Sequence, residues 1–78
     1  MKEMIRVTIF GEEIAITVYN SAQAGWVIKC IERVGLNYIV DKIDGEKKIT
    51  YIPETDNKAD LFDLMYELAD NEFDIELF

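Results

Sequence analysis

The sequence predicts an α+β fold: a two-layer sandwich whose antiparallel sheet of four or five strands carries two helices on one face, in the order β-β-α-β-β-α-(β). Three observations lead there. Two pairs of short apolar runs are each joined by a glycine-containing turn signal. Two longer stretches each carry one apolar stripe at helical spacing. The chain, at 78 residues, has room for a single domain spanning 1–78 and a thin core.

The first hairpin is the clearest element. Ile5, Val7 and Ile9 alternate with Arg6 and Thr8, and Ile14, Ile16 and Val18 alternate with Ala15 and Thr17. Gly11-Glu12 fits a two-residue type II′ turn, with glycine where φ must be positive. That turn sets Ile9 opposite Ile14, Val7 opposite Ile16 and Ile5 opposite Val18, so all six apolar residues share one face. Turn chemistry and alternation agree.

A helix follows. Asn20 or Ser21 caps it, and Asn20 with Gln23 three residues on has the form of a capping box. Ala24, Val27, Ile28, Ile31 and Val34 form its apolar stripe, Lys29 and Arg33 lie near the end where the dipole favours cations, and Gly35 stops it. Gly25 in its early turns suggests a close approach to the sheet. In the second hairpin, NYIVDKI and EKKITYIP flank Asp44-Gly45, a type I′ signal. A two-residue loop there pairs Val40 with Ile49 and Tyr38 with Tyr51. It also leaves Ile39, Ile43 and Ile52 as a second apolar set, which requires either cover on both faces or a shifted register. Pro53 reads as the strand's end. A second helix starts near Thr55–Asn57, with Leu61, Leu64, Met65 and Leu68 as its stripe. The ending FDIELF reads as a short last strand.

Charge is distributed unevenly. Residues 1–53 hold seven acids (Glu3, Glu12, Glu13, Glu32, Asp41, Asp44, Glu46) and seven bases (Lys2, Arg6, Lys29, Arg33, Lys42, Lys47, Lys48). Residues 54–78 hold nine acids against Lys58, which accounts for the net charge of −8. Such a field repels nucleic acid and anionic membrane and attracts basic surfaces. Asp56, Asp60, Asp63, Glu67 and Asp70 recur at spacings of 4, 3, 4 and 3. On a helix they fill an arc of about 80°, centred roughly 130° from the leucine stripe. Glu72, Asp74 and Glu76 extend the run. A solvated face accounts for such a ladder, and so does an approximation to the spaced charge of a phosphate backbone. Trp26, Phe62 and Tyr66 lie off the apolar stripes. They either pack between helices or form an aromatic rim to a charged interface.

Catalytic signals are weak. The chain has no histidine, and its one cysteine, Cys30, sits mid-helix, where a thiol is more often buried than reactive. Ser21, the only serine, reads as a cap. Asp56, Asp60 and Glu67 match three positions of an EF-hand count, but Lys58 takes a ligand position and Leu61 the glycine position. No catalytic residue, metal or cofactor is expected. Direct nucleic-acid binding is disfavoured because acids neutralise the bases Arg6, Lys42, Lys47 and Lys48. No apolar run approaches the roughly 20 residues of a membrane span, and the first residues alternate instead of forming a signal peptide, so a cytoplasmic location is expected.

In size, acidity and want of catalytic groups the chain is similar to small phage proteins, anti-CRISPRs among them, that block host defence enzymes. The acidic second helix leads to the expectation of a non-enzymatic binding protein that occupies a partner's basic nucleic-acid-binding surface, in its concrete form a DNA-mimic inhibitor, acting in host cytoplasm if phage-encoded. The alternative is a structural or adaptor module that forms a homodimer through strand edges and apolar faces, its acids serving solubility.

Overall fold

The computed structural model describes residues 4–11, 13–42, 48–69 and 75–77, the last three by their backbone alone. In chain order the elements are β1 (Ile5–Phe10), β2 (Glu13–Val18), α1 (Ser21–Val34), β3 (Asn37–Lys42), β4 (Ile49–Glu54), α2 (Lys58–Ala69) and β5 (Ile75–Leu77). They form one five-stranded sheet in the order β3-β4-β2-β1-β5. The first four strands pair antiparallel, and β5 joins parallel to β1, with Ile5 opposite Ile75 and Val7 opposite Leu77. The fold is the expected α+β sandwich, with a parallel fifth strand added at one edge.

Both helices lie on the same face of the sheet. Ile5, Val7, Ile14, Ile16, Val18 and Tyr51 from the strands form a single buried cluster with Val27, Cys30 and Ile31 of α1 and with Leu64 and Leu68 of α2. β1 and β2 pair in the register set by the turn, with Ile9 opposite Ile14 and Val7 opposite Ile16, and Gly11 takes a φ of 58°. A one-residue slip would have carried this apolar set to the other face.

Polar caps hold the ends of α1. Asn20 Oδ1 accepts the Gln23 N–H at 2.8 Å, while Gln23 Oε1 accepts the Tyr19 N–H at 2.8 Å, one residue before the cap itself. At the other end Gly35 adopts φ 85°, its N–H donates to Glu32 O at 3.1 Å, and the Leu36 N–H donates to Ile31 O at 3.2 Å. This is a Schellman ending, and Leu36 follows it into the core. Gly25 does not make the expected close approach. It is exposed, and a Cβ built there would meet nothing within 4 Å.

The second hairpin departs from its expected register by two residues. Tyr38 faces Pro53, Val40 faces Tyr51 and Ile39 faces Ile52. A shift of two keeps every side chain on its face, so Tyr38, Val40 and Tyr51 still share the helix side; Ile43 and the Asp44-Gly45 turn lie outside the described residues. Tyr38 and Tyr51, no longer directly opposite, meet edge to face with centroids 5.6 Å apart. Pro53 does not end β4, which runs on to Glu54. The β2–β4 ladder covers only Ile49, Thr50 and Tyr51, and β4 leaves β2 where proline has no N–H to donate. Neither helix covers the other face of the sheet. Thr17 and Thr50 join across it by a hydroxyl hydrogen bond of 3.2 Å, and Phe10 and Ile39 stand exposed on it.

Candidate functional site

The acidic helix α2 is where the sequence concentrates its charge, and a small hydrogen-bonded cap sets its start. Asn57 Oδ1 accepts the Ala59 N–H at 3.0 Å. Thr55 Oγ1 accepts the Asn57 N–H at 3.1 Å and donates to the Asp60 carboxylate at 3.0 Å. The dipole favours a carboxylate in this first turn. Leu64 and Leu68 are buried against the sheet, with Leu61 and Met65 half-buried beside them.

The structure divides the acidic ladder. Asp56 and Asp63 are exposed. Asp60 is half-buried and held by Thr55. Glu67 turns toward α1, where its carboxylate lies 3.4 Å from the Arg33 guanidinium. Arg33 in turn sits over the Trp26 ring, 5.7 Å from its centroid. Trp26, Arg33 and Glu67 therefore form a stack along the helix–helix seam. With both ends of the ion pair about half exposed, it is worth at most about 1 kcal/mol. Asp70, Glu72 and Asp74 lie outside the described residues, as does the side chain of Glu76.

The aromatic rim divides in the same way. Trp26 is half-buried and packs against the core. Phe62 and Tyr66 are 65% and 80% exposed, one turn apart on the outer side of α2. Helical geometry places them about 110–150° from the leucine stripe, with Asp63 about 60° further round. The outer surface of α2 is thus aromatic and acidic together. Beside it runs an apolar groove of about 250 Å³, formed by Ile9, Gly11, Glu13 and Ile14 at the tip of the first hairpin and by Lys58, Leu61, Phe62 and Met65 of α2. Ile9 lines this groove, half exposed. Its alternation with the core residues concealed that exposure from sequence reasoning.

Cys30 is fully buried on α1, and its thiol is pushed up from an ordinary 9.0 to about 11. Burial is the main cause; the Glu67 charge adds to it, and Arg33 works against it. Such a thiol stays protonated at neutral pH and is a poor nucleophile. The folded state keeps a proton that the unfolded chain loses, so stability should fall as pH rises from about 9 to about 11. Burial, followed by the neighbouring Tyr38, also raises the Tyr51 phenol, and this acts in the same direction. Urea midpoints across that range should therefore fall. Cys30→Val should flatten the slope and leave the tyrosine part. An unchanged slope in the variant would show that the thiol is not the group responsible.

Among the described residues, no three carboxylate or thiol side chains converge to hold a metal ion, and no helix is long and apolar enough to cross a membrane. No family model, no curated protein and no solved structure matches the chain.

Proposed function

We propose that this chain is a non-enzymatic binding protein whose acidic third occupies a basic, nucleic-acid-binding surface of a partner protein, in the manner of a DNA-mimic inhibitor. The observation that carries the reading is the outer face of α2, where Phe62 and Tyr66 stand exposed beside Asp63. Burying two aromatic rings against a partner supplies contact energy, and arginine is their natural counterpart, since it pairs with carboxylates and stacks on rings. The net charge of −8, all of it arising after residue 53, steers such a partner into place.

Asp60 and Glu67 have partners within the fold, so the contact falls to Asp56 and Asp63, with Asp70, Glu72, Asp74 and Glu76 extending the field. The test begins with capture from host lysate at low salt and elution at high salt. Wild type should then displace DNA or RNA from the captured partner. Its advantage should shrink as salt screens the field beyond about 8–10 Å. Asp56→Asn with Asp63→Asn should slow association about tenfold or more at low salt, and Phe62→Ala with Tyr66→Ala should speed dissociation. A partner whose binding ignores both salt and these four positions would end the mimic reading.

A further inference from the structure

Among the described residues the strand order leaves β3 at an edge of the sheet, paired with β4 on one side only. Five of its six residues are exposed, and Ile39 and Val40, at 50% and 51%, present apolar side chains on opposite faces. An open edge with apolar residues on both faces is a template for another strand. The geometry points to a second copy of this chain as that strand, joined antiparallel β3 to β3 about a two-fold axis at Ile39. This surface is separate from the α2 face and does not depend on the partner reading.

Self-complementarity selects both the occupant and the register. A two-fold axis normal to the sheet requires facing residues to share a face, so only registers that pair odd with odd and even with even positions are allowed. Centred on Ile39, the register sets Ile39 against itself, Tyr38 against Val40 and Asn37 against Asp41. Apolar residues then meet apolar ones on both faces, and an amide meets a carboxylate. Ile39 already faces Ile52, and Val40 already faces Tyr51. Joining two copies therefore makes one apolar row Ile52–Ile39–Ile39–Ile52 on the open face and rows linking Tyr51, Val40, Tyr38 and Pro53 on the helix face. Centring on Val40 would set Ile39 against Asp41, and centring on Tyr38 would set Asn37 against Ile39. Over residues 37–41 only the Ile39 register avoids placing an apolar residue against a polar one; Lys42 then falls opposite Leu36, outside the strand.

Charge placement permits the union. α1 contacts β2 and β3, whereas α2 lies along the first hairpin, where it shares a groove with Ile9 and Ile14. The acidic helix thus lies toward the end of the sheet away from β3, and residues 1–53, which include the edge, are neutral as a group.

The test is light scattering on the intact chain, with cross-linking to fix the register. Wild type loaded at roughly 100 µM should run at about twice its mass of 9.1 kDa. Ile39→Lys, which sets two like charges face to face, should run at the monomer mass, keep its circular dichroism and unfold cooperatively with a midpoint that no longer depends on concentration. Under mild oxidation Ile39→Cys should form a disulfide-linked dimer, its two Cα atoms lying about 4.5–5.5 Å apart. Val40→Cys should not, because its copies lie about 8 Å apart along the diagonal. The native thiol, buried and protonated, stays silent in this assay. A wild-type monomer at that concentration, an Ile39→Lys dimer, or cross-linking of the Val40→Cys variant in place of the Ile39→Cys variant would each overturn the proposal.

Discussion

Truncating Leu64 or Leu68 to alanine should each lower the unfolding free energy by about 2–5 kcal/mol. Both side chains are essentially inaccessible to solvent, and they are the only fully buried anchors of α2 among the described residues. Their neighbours Leu61 and Met65 are half-buried and border the open groove. A chain of this length has roughly 4–12 kcal/mol of stability in total, so either change removes a large share. The double variant should lose more than either single one and less than their sum, because the two residues sit one turn apart in one buried cluster, where a joint truncation lets the surroundings relax together. Urea denaturation with an unchanged midpoint for both single variants would show that α2 is not docked through these leucines.

The second large effect concerns two glycines, one inside α1 and one capping its end, with opposite expected signs. Gly35→Ala should destabilise by about 1–2 kcal/mol, because its φ of 85° forces a Cβ into the left-handed region. The hydrogen bonds to Ile31 and Glu32 that close the helix depend on that conformation. Gly25→Ala should stabilise by up to about 1 kcal/mol, since the site is helical, exposed and empty around the new methyl. Thermal midpoints decide both, and a fall at Gly25 would show that the added methyl meets a neighbour there.

The contrast between those glycines shows what a sequence discloses. Position within a helix is visible in the pattern, so Gly35 could be placed as a stop from the residues alone. What lies beside Gly25 depends on how the helix sits over the sheet, and local spacing does not encode that. The first hairpin was legible because its turn and its alternation impose the same register. In the second, the Asp44-Gly45 signal favours one pairing and the strands adopt another two residues away; a shift of two leaves every side chain on its own face, so the alternation had nothing to penalise it. The parallel docking of β5 on β1 joins residues some seventy positions apart, and no turn records it. At the candidate site, the acid spacing and the off-stripe aromatics could be read directly. That Glu67 leans to Arg33, and Arg33 to Trp26, follows from two helices meeting. One acid of the supposed ladder is thereby committed inside the fold.

An open sheet has two margins and so two directions in which it can grow into a fibre. Here the strand order makes the margins unlike. One, β3, is six residues long and belongs to the neutral part of the chain. The other, β5, is three residues long and carries Glu76 within a segment that also holds Asp70, Glu72 and Asp74. Stacking copies through β5 would join the most acidic part of the sequence to itself, since residues 70–78 hold four acids and no lysine or arginine. A dimer joined at β3, as proposed above, would therefore end in two β5 strands drawn from acidic segments of like charge, which opposes further addition. Neutralising the C-terminal carboxylates, by acid or by amide substitution, would remove that block and turn a self-limiting sheet into a seed for cross-β assembly.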